Sequence, residues 1–106
     1  MSDYLLILCN CPDETTAAAI TSQLLQQRLV ACVNRLPAVQ SSYIWQGKLE
    51  QAVEIQLQLK APKRNFTAIE QAISAIHPYA VPEIIAVELC QLNQAYAAWI
   101  NEVTCD

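Results

Sequence analysis

The sequence predicts an α+β fold, a ferredoxin-like β-α-β-β-α-β sandwich followed by a short C-terminal helix. Three observations predict it: an apolar run near the N-terminus, a strictly alternating strand in the middle, and two segments with helical spacing between the strands. A chain of 106 residues has the length of one domain. We therefore interpret residues 1–106 as a single domain.

The first quarter of the chain predicts a buried strand and a helix. Tyr4–Asn10 is almost entirely apolar, which is typical of a strand covered on both faces. Asp13 is a favourable N-cap because its carboxylate can accept from the first free backbone amides of a helix. The spacing of the apolar residues that follow predicts a helix over Glu14–Arg28.

The middle of the chain predicts a long β-hairpin. Val30–Asn34 and Val39–Trp45 are two extended pieces, separated by a bend at Pro37. The turn is expected at Gln46-Gly47-Lys48. Residues 53–60 then alternate between apolar and polar side chains, which is the period of a strand with one apolar face.

The last third predicts a helix, a strand and a second, shorter helix. Apolar residues at spacings of three and four predict a helix over Asn65–Ile76, with Asn65 as its cap and Pro78 just beyond its end. A fourth strand is expected over Glu83–Cys90. The terminal helix is expected to begin at Asn93.

The sheet is expected to have one face that the helices leave bare. Two helices cover one face of such a sheet, yet the first strand is apolar on both sides, with Leu6 and Leu8 opposite Ile7 and Cys9. Hydrophobic residues make up 54% of the chain and charged ones 15%, against roughly 25% charged in a typical soluble domain. We therefore expect self-association to cover the second face.

Composition excludes several classes of function. The net charge is −4 and the six basic residues are dispersed, so no surface is built for nucleic acid. Gly47 is the single glycine, which excludes a glycine-rich nucleotide loop. No apolar run reaches the ~20 residues that cross a bilayer, and the N-terminus has no signal-peptide pattern. Five cysteines, an odd number, then indicate reduced thiols and a cytoplasmic protein.

Two places in the sequence carry residues suited to metal binding. Cys9 and Cys11 lie where a strand meets a helix start, and such thiols either bind soft metals or act as small buried apolar groups. His77 is the only histidine and either ligates a metal or ties its loop to a backbone carbonyl or a carboxylate. It opens a loop, His77–Glu83, that two prolines make stiff.

Four segments of the sequence resemble the CutA family, the divalent-cation tolerance proteins. These are Leu8–Glu14, Leu29–Asn34, Ser42–Lys48 and the loop His77–Glu83, and the resemblance extends over nearly the whole chain. It implies a cytosolic homotrimer similar in architecture to the PII signalling proteins. It also implies a role in tolerance of divalent cations, with binding and without catalysis.

The resemblance assigns roles to particular residues. In the copper-binding pattern of the family, Cys9 and His77 are the matching ligands, and Cys32 is a secondary thiol candidate. Ile76 stands where the family has the first histidine of a pair, so the implied copper binding is weak. Four further residues are expected at the subunit interface: Tyr43, Trp45, Tyr79 and Glu83.

Two other functions stay open. A PII-like signalling or scaffold module would hold a small ligand or a partner protein in clefts between subunits. An enzyme would need a nucleophile beside a base, for which Cys9 and His77 have the right chemistry, and we do not expect one. The glutamates of the strands, among them Glu54, are expected on a solvated or interface surface.

Overall fold

The computed structural model describes residues 2–105 as one four-stranded antiparallel sheet with its helices packed on it. The elements are β1 Tyr4–Cys11, α1 Glu14–Gln26, β2 Cys32–Trp45, β3 Lys48–Pro62, α2 Phe66–Ile76, β4 Ile85–Glu88 and α3 Gln94–Val103. The strand order across the sheet is β2-β3-β1-β4. The predicted α+β class and the predicted order of elements are therefore confirmed.

The core lies between the sheet and the first two helices. β1 alternates strictly between half-buried and buried residues, and its buried side packs against β3, α1 and α2. Side chains from these elements with no exposed surface include Ile7, Leu57, Ile20, Ile69 and Ile73. Both helices thus cover the same face. No helix in residues 2–105 combines the length and the apolar character required to span a bilayer.

Helix α1 begins at its predicted cap and ends two residues earlier than expected. The chain leaves the helix because Arg28 adopts a left-handed φ of 56°. The Arg28 amide donates to the Leu25 carbonyl at 3.0 Å and the Leu29 amide to the Leu24 carbonyl at 3.0 Å. These two bonds are those of a Schellman ending, which satisfies the last carbonyls of a helix.

We expect Asp13→Ala to lower the thermal unfolding midpoint at pH 7. The Asp13 Oδ1 atom accepts from the Thr16 amide at 2.8 Å, and this bond holds the pKa of the carboxyl below its ordinary 3.8. A lowered pKa stabilises the fold above pH ~4, and the gain disappears as the pH falls through the folded-state value. Asp13→Asn keeps an acceptor at every pH and is the control. Equal midpoints for wild type and Asp13→Ala at pH 7 would contradict the prediction.

The hairpin of β2 and β3 is longer and more continuous than predicted. β2 is a single strand whose pairing with β3 shifts register between Leu36 and Val39, so the bend at Pro37 is a bulge inside one strand. The turn residues Gln46 and Gly47 have φ of 52° and 79°, the left-handed pair of a tight two-residue hairpin.

Two predictions for the last third of the chain need correction. The fourth strand is Ile85–Glu88, shorter than the expected Glu83–Cys90, because its ladder with β1 extends only over these four residues. The Asn65 side chain makes no cap bond to α2. It is buried and donates to the Leu29 carbonyl at 3.0 Å, so it ties the start of α2 to the end of α1.

Apolar surface remains exposed in two regions. On the sheet face away from the helices, Val87 and Ile85 of β4 are 53% and 49% exposed. The hairpin also extends beyond the four-stranded part of the sheet, and we call residues 39–53 the arm. Ile44, Leu49 and Val53 share one side of the arm and are 64–70% exposed. The first of these regions is the bare sheet face that the sequence predicts. The apolar side of the arm instead continues the face that the helices cover, since Val53 and Ile55 lie two residues apart on β3.

Candidate metal centre

Cys9 and Cys11 lie side by side on the covered face of the sheet. β1 continues to Cys11, and residues two apart on a strand point to the same face. Both thiols have no exposed surface, because Leu57 and Ile55 of β3 pair with them and the helices close over them. The sheet therefore brings two sulfur atoms together in an enclosed site.

His77 reaches the same place from the end of α2. Pro78 disfavours helical geometry at the residue before it, and His77 is extended, with φ −77° and ψ 133°. His77 is 8% exposed, and its ring centroid lies 4.8 Å from that of Tyr79. The ring thus turns inward toward the end of β1.

Backbone groups hold both nitrogens of the imidazole. Nδ1 accepts from the Tyr79 amide at 3.2 Å, so Nε2 carries the proton and donates to the Asn10 carbonyl at 2.8 Å. The predicted structural role, a tie between the loop and a carbonyl, is therefore present. Ligation of a metal by His77 requires that one of these two bonds opens.

The donor atoms of Cys9, Cys11 and His77 lie within 4.8 Å of one another. Three donors that share an ion at about 2.0–2.3 Å, in trigonal or tetrahedral geometry, are about 3.3–4.0 Å apart. Side-chain shifts of about an ångström would close the widest pair to that separation. The residues present thus fit a small soft ion in number and type, and nearly in spacing.

The pKa values of the two thiols are shifted in opposite directions. The hydrogen bond with Cys11 and burial both raise the pKa of Cys9, whereas the same bond lowers the pKa of Cys11. Of the two thiols, Cys11 therefore ionises more readily than Cys9. The negative charge of Glu83 and Glu54 acts on Cys9 in the same direction.

Cys32 and position 76 lie outside this cluster. Cys32 pairs with Lys60, whose side of the sheet is opposite that of Cys9, and its Sγ donates to Asn34 Oδ1 at 3.8 Å. Ile76 is 43% exposed, so the position where the family pattern has another histidine is not part of the enclosed donor set.

The four predicted interface residues line one cleft on the other side of the sheet. Tyr43, Trp45, Tyr79 and Glu83 surround it, and Glu54 lies at its base. The Tyr79 hydroxyl donates to Glu54 Oε2 at 2.6 Å. The loop 77–83 therefore joins the thiol cluster, through His77, to the cleft, which Tyr79 and Glu83 line.

Sequence reasoning did not foresee two members of this region. Glu54 is 5% exposed rather than solvated. Asn10 links the two sides, since its carbonyl accepts from His77 and its Nδ2 donates to Glu54 Oε1 at 3.3 Å. The only sequence signal was that Glu54 occupies a polar position in the alternating pattern of its strand. That pattern does not reveal that the loop 77–83 covers the side chain.

Comparisons with known proteins agree along the length of the chain. The family model described as CutA1 divalent ion tolerance protein matches residues 5–103. The Divalent-cation tolerance protein CutA of Thermus thermophilus is 36% identical over 99 residues, covering 93% of this chain and 96% of that protein. The protein of the same name from Yersinia pestis is 37% identical over 100 residues, covering 94% and 84%.

Solved structures give the same result. The crystal structure of CutA from Xylella fastidiosa has a TM-score of 0.94 and 42% identity, covering 98% of this chain and all of that one. CutA1 from Oryza sativa has a TM-score of 0.95 at 27% identity, covering 99% and 96%. The chain belongs to the CutA1 family of divalent ion tolerance proteins.

Proposed function

We propose that this protein binds a copper-type ion through Cys9, Cys11 and His77 and serves tolerance of divalent cations without catalysis. The observation that carries the proposal is the enclosure of three soft donors within 4.8 Å of one another. Thiolate and imidazole select copper and zinc over magnesium and calcium, which prefer oxygen ligands. The absence of exposed surface on both thiols favours an ion of low coordination number, such as reduced copper.

The same geometry argues against catalysis at this cluster. A nucleophilic thiol needs a free base beside it and an approach for substrate. Cys9 has no exposed surface, which leaves no approach for a substrate in the described structure. A metal ion is smaller than a substrate and needs only a narrow approach.

We also propose that the protein is a cytosolic homotrimer of PII-like architecture. The exposed apolar side of the arm and the bare sheet face support self-association. The resemblance to the CutA family supplies the number three. All five cysteines in residues 2–105 are free, which suits a reducing compartment.

Native mass spectrometry under reducing conditions, with copper added stepwise, tests both proposals. We expect a trimer that takes up one copper per chain in a saturable series. Scattered adducts without a plateau would contradict the metal proposal, and a monomer would contradict the assembly. The exposed Cys90 is the principal source of adventitious binding, so Cys90→Ala is the appropriate reference protein.

A second candidate function is PII-like binding of a small ligand in the cleft. The observation that favours it is the cleft itself, of about 820 Å³ and lined by aromatic and polar side chains. Ligand sites usually have about 300–1,000 Å³. A thermal-shift screen of metal-free protein tests it, because a ligand that binds only the folded protein stabilises it by RT ln(1 + [L]/Kd) and so raises the unfolding midpoint.

A further inference from the structure

The carboxylate of Glu54 is buried without a countercharge. Asn10 donates to one of its oxygens and Tyr79 to the other. Within residues 2–105 the ion pairs join Arg35 to Glu14 and Lys63 to Glu88, and none involves Glu54. Buried charges in proteins are normally paired. A buried carboxyl group that lines a cleft thus has no cationic partner in the described chain.

The walls of the cleft have the chemistry that accepts a cation with a carbon skeleton. The rings of Tyr43, Trp45 and Tyr79 line it, and Glu83 adds a second carboxylate. Aromatic faces attract ammonium groups through their negative quadrupole and also cover alkyl surface. No lysine or arginine lines the cleft in the described part of the chain, so an anionic ligand finds no complementary charge.

We propose that the cleft binds a small organic cation, an ammonium group on an alkyl or aryl skeleton, with Glu54 as its countercharge. The inference rests on the second function proposed above and names the class of its ligand. A bare divalent metal fits less well, because both Glu54 oxygens already accept hydrogen bonds and the surrounding walls are aromatic. The ammonium supplies donors for the remaining acceptor sites of the carboxylate.

The experiment titrates chelator-treated, metal-free protein with three matched probes in a calorimeter. They are phenethylamine, the neutral 2-phenylethanol and the anionic phenylacetate, which differ mainly in charge. We expect saturable binding of phenethylamine, at least tenfold weaker binding of the alcohol and none of the acid. If the alcohol or the acid binds as well as the amine, the cleft is a ligand site but the ligand class is wrong. If no probe binds, the inference fails, while copper uptake tests the metal proposal separately.

Variants identify the residue responsible. Glu54→Gln keeps the size of the side chain and an acceptor for Tyr79, and we expect at least tenfold weaker binding of phenethylamine. Glu70→Gln, on the exposed surface of α2, changes the net charge equally and should bind as wild type does. The exposed Glu83→Gln gives a second test that does not depend on a buried position, with a smaller loss expected. Unchanged affinity in folded Glu54→Gln overturns the inference.

One competing occupant has a distinct signature. Lys48 makes no ion pair within residues 2–105, and six residues of extended strand, about 20 Å, separate it from Glu54 of its own chain. The Lys48 of a second copy of the chain is not held at this distance from Glu54. If phenethylamine binds Lys48→Met but not wild type, the countercharge is the lysine of another subunit, and the small-cation proposal is wrong.

Discussion

Replacing both buried thiols, as Cys9→Ala together with Cys11→Ala, is expected to weaken copper binding by more than about a hundredfold. Loss of an outer-shell partner alone typically costs 10–100-fold in metal affinity, and this variant removes two of the three proposed donors. Alanine leaves no polar group in the core, so the fold should survive with a moderate loss of stability. Competition with a copper(I) chelator under reducing conditions measures the affinity.

The controls separate the enclosed site from thiol chemistry in general. Cys32→Ala together with Cys90→Ala removes the same number of thiols outside the cluster and should leave the affinity unchanged. His77→Gln then separates ligation from structure. If it loses stability but keeps the copper affinity, the imidazole only ties the loop to β1. If the Cys9/Cys11 variant binds copper as wild type does, the cluster is not the metal site.

Sequence patterns predicted the order of elements because the secondary structure of each segment depends mainly on the residues within that segment. The alternation of residues 53–60 identifies β3 directly, and Asp13 identifies the start of α1. The differences arise where distant segments decide the outcome. The fourth strand is short because only four of its residues pair with β1. The Asn65 side chain does not cap α2, because it donates to the Leu29 carbonyl instead. The sequence of β4 does not reveal how far β1 pairs with it, and the sequence around Asn65 does not reveal the Leu29 carbonyl.

In the candidate site, too, local sequence identified some residues and distant segments decided the rest. The resemblance supplied Cys9 and His77, and the residues themselves raised Cys11 as a thiol candidate. Whether Cys11 joins Cys9 depends on whether β1 continues past Asn10, since one more strand residue places both sulfurs on one face. Glu54 is hidden by the loop 77–83, which is far from it in sequence. The burial of that carboxylate is a tertiary property, and no pattern within β3 encodes it.

We expect Leu49→Glu to break the assembly while leaving the isolated chain folded. Leu49 is 70% exposed on the arm, so a charge there costs a single chain little. In an assembly that covers the arm, the variant loses the burial of a leucine, about 1.5–3 kcal/mol, and adds the cost of desolvating a carboxylate. Together these weaken association by roughly a thousandfold or more. Sedimentation velocity across a range of concentrations measures the change.

Leu25→Glu is the matched control, since Leu25 is an exposed leucine, 42% accessible, on the helix layer. The same substitution there adds the same charge and should leave the sedimentation profile of wild type unchanged. Circular dichroism distinguishes dissociation from unfolding: a folded monomer in Leu49→Glu means that the arm joins subunits and is not needed for the fold of one. If the variant keeps the sedimentation coefficient of wild type, the arm is not an interface. The apolar sheet face around Ile85 and Val87 would then be the surface that association covers.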